Sequence, residues 1–134
     1  MNTKRSALLV VFIGFMFAGG AMGYDLHITR GESWADSEEQ PISIEEWRDV
    51  VNTDASLELR EHVEATNPQT GEVILMETPG GAVWTDPESG SSVFFDYRNG
   101  KISVNNPDDP TISKMKSLAS VFAARVLGDE DEEY

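Results

Sequence analysis

Apolar and polar residues alternate in the segment 24–29, which is the period of a half-buried β-strand. Tyr24, Leu26 and Ile28 share one face, and we expect this face to lie on the core. His27 lies on the other face with its polar neighbours. The alternation therefore predicts a strand with one buried and one polar side.

A first helix is predicted from the signals at its N-terminus. Ser43 is a helix cap, and Glu46 three residues later completes a capping box. Ile42 and Trp47 have the spacing of a hydrophobic staple around the same cap. This helix is expected to end near Thr53.

A second helix is predicted from apolar residues that recur at helical spacing over 112–126. Asp109 is the expected cap, with Pro110 at the first helical position. Gly128 is placed to end the helix. Residues 129–134, acidic as far as Glu133, then form a solvated tail or a short edge strand with Tyr134 turned inward.

Four strands are predicted between the two helices. Segments 62–66 and 72–77 flank a turn by composition, and 92–97 and 101–105 flank Asn99-Gly100, a strong hairpin signal. A short apolar segment, 82–85, lies between the two hairpins. Leu57 and Leu59 are expected in a short turn after the first helix.

The elements follow the order β-α-β-β-β-β-α. This order predicts an α+β fold in which two helices pack on one face of an antiparallel sheet. The chain has no repeat and no linker long enough to divide the part that follows residue 23.

Residues 1–23 have the layout of a secretory signal. Lys4 and Arg5 precede an apolar run over 7–18, and small residues follow it. We expect a cleaved signal peptide, a single acidic α+β domain over 24–134, and an exported protein that is most readily placed in the periplasm.

Two alternatives to a cleaved signal stay open. The apolar stretch counted to Met22 could just span a membrane and remain as an inner-membrane anchor. Translation could instead begin at Met22, which would place the protein in the cytoplasm.

The chain is strongly acidic, with a formal net charge of −14. Residues 1–23 hold two of the 10 basic residues and no acidic residue, which leaves 8 against 24 and a net charge of −16. This charge repels phosphates, so nucleic-acid binding and stable membrane association after cleavage are not expected. A basic protein partner is favoured, and solubility alone is the competing explanation of the charge.

Residues suited to catalysis are few. The chain has two histidines and no cysteine, which excludes thiolate metal sites. Ser33 or Ser92 could complete a Ser-His-Asp set, but the Gly-x-Ser-x-Gly motif is missing. We therefore expect a non-enzymatic protein with no metal and no cofactor.

Trp34 is the best candidate for a binding residue, because it lies in a polar loop with no periodic apolar partner. An exposed tryptophan among carboxylates has the composition of a hot spot for a basic partner. The competing interpretation is that Trp34 folds back as a lid over the sheet. The predicted partner-binding residues are Trp34, Asp36, Glu38, Glu39, His27 and Arg30.

The chain resembles a family of small acidic bacterial proteins that open with Tyr-Asp-x-His-Ile-Thr, here 24–29, followed by a tryptophan, here Trp34. The resemblance covers nearly all of residues 24–134. It continues through segments 42–47, 82–84, 95–102, 106–108, 114–115 and 124–129. Members are mostly uncharacterised, and some look like immunity proteins that neutralise a toxin. They usually begin near the first strand, so the leader is a departure.

Two functions of different classes follow. The first is an exported protein-binding domain, such as an immunity protein that neutralises a basic toxin. The alternative is an envelope enzyme or small-ligand binder that uses His27 and nearby charged residues.

Overall fold

The computed structural model describes residues 24–134; the predicted leader and the alternatives for it lie outside the described residues. The strands are β1 (Asp25–Thr29), β2 (Leu57–Leu59), β3 (His62–Thr66), β4 (Val73–Glu77), β5 (Ala82–Thr85), β6 (Ser92–Arg98), β7 (Lys101–Asn105) and β8 (Arg125–Gly128). The helices are α1 (Ile44–Thr53), α2 (Asp109–Val121) and a 3₁₀ segment (Trp34–Glu39). Within residues 24–134, no helix has the length and apolar character that a membrane span requires.

The predicted α+β fold is confirmed. Six antiparallel strands form the main sheet in the order β2-β5-β6-β7-β1-β8, and β3 and β4 form a separate two-stranded ribbon. The core lies between the main sheet and the helices α1 and α2. Leu26 and Ile28 of β1 face this core, as the alternation predicts.

Trp47 is the centre of the core. Its side chain is fully buried, and its ring lies 6.4 Å from that of Phe95 on the sheet and 6.1 Å from that of Phe122 at the end of α2. Its indole Nε1 donates to the carbonyl of Gly80 at 2.6 Å. One side chain therefore joins both helices and the sheet.

The predicted start of α1 is confirmed in detail. The Ser43 hydroxyl accepts from the Glu46 backbone N–H at 3.0 Å, and the Glu46 carboxylate accepts from the Ser43 N–H at 3.1 Å. Ile42 and Trp47 are both fully buried at the staple positions. The helix ends at Thr53, as expected.

The β6–β7 hairpin turns at Asn99 and Gly100, whose φ angles are 54° and 79°. Both values lie in the left-handed region that an Asn-Gly turn favours. A Cβ on Gly100 would lie 2.6 Å from the Cβ of Pro41, so the turn also needs a residue without a side chain for its packing.

The predicted end of the second helix is wrong. Helix α2 stops at Val121, and Ala123 takes a left-handed φ of 53° that turns the chain. Val126 belongs to β8, and Gly128 is the last residue of this strand and not a helix terminator. Val126 lies in the core in either arrangement, which explains why its spacing was compatible with a longer helix.

The cap of α2 also differs from the prediction. Asp108 caps the helix by accepting from the Thr111 N–H at 3.1 Å, so Asp109 is the first helical residue. The acidic tail adds a short antiparallel bridge to β8, and the backbone N–H of Tyr134 donates to the carbonyl of Val126 at 3.0 Å. Tyr134 is exposed and does not turn into the core.

One further expectation changes between the helices. Leu57 and Leu59 lie in a strand, β2, and not in a turn. The short segment Ala82–Thr85 is strand β5, which pairs with β2 and β6. Pairing decides both assignments, because three- or four-residue strands form only where a neighbour supplies the hydrogen bonds.

Candidate functional site

The sheet has a polar face on the side opposite α1 and α2. His27 of β1 lies on this face and is only 3% exposed. Its Nδ1 is 2.7 Å from the Ser103 hydroxyl on β7, and its Nε2 is 3.0 Å from an Asp129 carboxylate oxygen beyond β8. Antiparallel pairing on both sides of β1 brings these three side chains together.

Trp34 covers His27. The two rings are stacked with centroids 4.6 Å apart and planes 18° apart, and the indole Nε1 donates to the Asp129 carbonyl at 2.9 Å. The ammonium group of Lys101 lies 5.6 Å from the centre of the Trp34 ring. The half-buried Trp34 therefore lies as a lid over the sheet. This position agrees with the second interpretation of its sequence context and not with a fully exposed hot spot.

The loop that carries Trp34 is fastened to the C-terminal tail. Asp131 accepts from the Ser33 hydroxyl and from the Trp34 backbone N–H, each at 3.0 Å. Asp36, Glu38 and Glu39 are exposed on the outer side of this loop. These three carboxylates are the part of the predicted partner site that the structure presents to solvent.

Arg30 faces its own chain. Its Nε donates to the Phe122 carbonyl at 2.7 Å, its guanidinium donates to the Pro41 carbonyl at 2.9 Å, and it forms a two-point ion pair with Glu46 at 2.6 and 3.3 Å. These bonds join the end of β1 to the start of α1 and the end of α2. The structure thus places both Arg30 and His27 in contacts within the chain.

The Arg30–Glu46 pair predicts a specific acid sensitivity. Hydrogen bonds from the Arg30 side chain and the Ser43 backbone lower the pKa of Glu46 from 4.5 to about 2. A carboxylate with a lowered folded-state pKa stabilises the protein above its unfolded pKa, and this stabilisation is lost as the pH falls toward the folded value. We expect Glu46→Gln to flatten the pH dependence of the unfolding midpoint between about pH 4.5 and 2, measured by urea titration.

Glu45→Gln is the matched control, because Glu45 is an exposed carboxylate in the same turn. It should leave the slope of the midpoint against pH nearly unchanged. An equal slope for wild type and Glu46→Gln would contradict the assigned role of the pair.

Burial also shifts two charged groups on the polar face. It raises the pKa of Asp96 on β6 and lowers that of Lys101 on β7, in the second case together with the nearby charge of Arg98. Asp96 forms an ion pair with Arg98 at 3.4 Å. Asp96 is also the register partner of Ser103, so the charged groups adjoin the His27 cluster.

The β3–β4 ribbon is a second candidate surface, one that the sequence-based prediction did not include. Its strands pack chiefly against each other, and none of their residues is fully buried. Val73 and Leu75 are 60% and 59% exposed on one face, where Glu64 lies opposite Leu75 and Glu77 follows it on the same face. The available signal was the run of four apolar residues that begins at Val73, because a strand with one solvated face should alternate.

Neither of the two serines considered as a partner for a histidine contacts His27. Ser33 bonds to Asp131 and Ser92 lies beside Thr85, so neither joins the imidazole. Ser103 takes that place instead. Among residues 24–134, no group of three or more His, Asp or Glu side chains is arranged to hold a metal ion.

Comparisons with protein-family models, curated proteins and solved structures find no match to this chain. The resemblance drawn from the sequence motifs stays a prediction.

Proposed function

We propose that this protein is an exported protein-binding domain whose β3–β4 ribbon docks on a basic partner, with a toxin and its immunity protein as the favoured form of the pair. The observation that carries the proposal is the exposure of Val73 and Leu75 on a ribbon that stands apart from the main sheet. An isolated two-stranded ribbon is marginally stable in water, so its retention with large apolar side chains in solvent favours a binding role.

The surroundings of these apolar residues indicate the chemistry of the partner. Glu64 and Glu77 flank Leu75 on the ribbon face, and the chain as a whole has a net charge of −14. Interfaces combine an apolar centre with a polar rim, and opposite charge accelerates association. A partner with an apolar patch inside a basic rim complements this face.

The ribbon offers a second source of affinity. Within residues 24–134, β3 and β4 pair only with each other, so each strand has an edge whose backbone groups can accept a further strand. Addition of a partner strand would supply backbone hydrogen bonds, while Val73 and Leu75 would supply specificity.

The test compares the wild type with the double variant Val73→Ser/Leu75→Ser. A basic protein captured from cell extract by the wild type is purified, and its dissociation constant is measured for each form. We expect the double variant to bind at least about 10-fold more weakly, since central apolar contacts dominate interface energies. Association should also slow as salt is added.

Val121→Ser is the matched control, because Val121 is 64% exposed on α2 and lies away from the ribbon. It should bind like the wild type. Equal weakening by Val121→Ser, or association that is indifferent to salt, would count against the ribbon and the basic partner respectively.

A further inference from the structure

The hydrogen-bond chain through His27 has a defined direction. A carboxylate only accepts hydrogen bonds, so the contact between Asp129 and Nε2 places the ring proton on Nε2. In the neutral imidazole Nδ1 is then an acceptor, and the Ser103 hydroxyl, 2.7 Å away, donates to it. Hydroxyl, imidazole and carboxylate thus stand in the order that prepares a serine to lose its proton to a base.

The imidazole is held in this orientation from several sides. Trp34 stacks on its face, and Asp129 is itself fixed because its second carboxylate oxygen accepts from the Asp25 backbone N–H at 3.0 Å. A base oriented by a third group is the structural signature of an activated nucleophile. Both ring nitrogens and one face of the imidazole are therefore held in place.

Ser103 is more accessible to solvent than His27. The side chain of Ser103 is half-buried, whereas His27 is buried. Phe94 lies on the same face of β6 as Asp96, the register partner of Ser103, and is 38% exposed. An apolar group could rest on Phe94 while a reacting carbon meets the Ser103 hydroxyl.

Lys101 supplies a positive charge on the same face of the sheet as Ser103. It is two residues from Ser103 on β7, so both side chains project from the same face of the sheet. Its ammonium group lies over the Trp34 ring. A cation in this position can stabilise the oxyanion that forms when a hydroxyl attacks an acyl carbon.

We propose that Ser103 is a nucleophile toward small carboxylic esters, with His27 as its base and Asp129 as the positioning residue. The Ser103 oxygen forms a bond to the acyl carbon, and its proton passes to His27 Nδ1. The carbon–oxygen bond to the alcohol breaks, and the alcohol leaves with that proton. Water then attacks the acyl-serine, gives its proton to the same nitrogen, and releases the acid as Ser103 recovers its hydrogen.

The test uses a fluorophosphonate probe, which transfers a phosphonyl group to an activated serine with loss of fluoride. Intact-mass and peptide mass spectrometry of the wild type should show one label, located on Ser103. Ser103→Ala should reduce labelling at least about 100-fold, within the range by which a positioned base accelerates such reactions. Peptide mapping of the wild type locates the label even if the variant fails to fold.

Ser92→Ala is the matched control, since Ser92 is an exposed serine on the same strand face as Phe94. It should label like the wild type. The ribbon variant Val73→Ser/Leu75→Ser should also label normally, which separates this activity from the binding proposal.

Asp129→Asn tests the positioning role with p-nitrophenyl butyrate as substrate. It should lower kcat at least about 10-fold with little change in KM, because the carboxylate orients the base and does not contact substrate. An unlabelled wild type, a label that maps to another residue, or an unchanged kcat in Asp129→Asn would each overturn the proposal.

Discussion

Replacing Trp47 with alanine is expected to lower the free energy of unfolding by about 3–5 kcal/mol. The indole is fully buried between Phe95 and Phe122, so the variant leaves a cavity where the helices meet the sheet. It also removes the indole N–H that donates a hydrogen bond to the Gly80 carbonyl. Urea unfolding followed by circular dichroism measures the change.

Trp47→Phe separates the two contributions of the indole. It keeps most of the buried apolar area but loses the hydrogen bond to Gly80, so a smaller loss of about 1–2 kcal/mol is expected. A loss below about 1 kcal/mol in the alanine variant would contradict the central position assigned to Trp47.

Replacing His27 with alanine is expected to cost about 2–4 kcal/mol of stability. The variant empties a buried site, removes the ring on which Trp34 stacks, and breaks the bonds to Ser103 and Asp129. His62→Ala is the matched control, because His62 is exposed on β3. It should change stability by less than about 0.5 kcal/mol, again measured by urea unfolding.

The size of the His27 effect bears on function. If His27→Ala unfolded like the wild type, the buried network around the imidazole would be refuted. With the expected destabilisation, loss of an activity in this variant alone would not assign a role to His27. Ser103→Ala and Asp129→Asn are the better probes because both side chains are more exposed than His27.

Several elements could be predicted because their signals lie within a few residues of one another. The capping box joins Ser43 to Glu46, and the turn at Asn99 and Gly100 depends on two adjacent conformations. The alternation around Leu26 predicted the core face of β1. These features survive in the folded protein because tertiary contacts reinforce them.

The errors fall where local pattern and pairing compete. Val126 fits both a helical stripe and the inner face of a strand, and the hydrogen bonds between β8 and β1 decide for the strand. Leu57 and Leu59 likewise become a strand because β5 lies beside them. A partner that is distant in sequence supplies these bonds, so the segment alone does not reveal them.

The candidate site shows the same division. Its residue types could be recognised from the sequence, including a lone tryptophan among carboxylates and a histidine on the polar side of a strand. The register of β1 with its neighbours decided that His27 meets Ser103, 76 residues away, and Asp129, 102 residues away. Helix caps and turns follow from short-range stereochemistry, whereas a buried cluster forms only when the assembled sheet aligns side chains from distant strands.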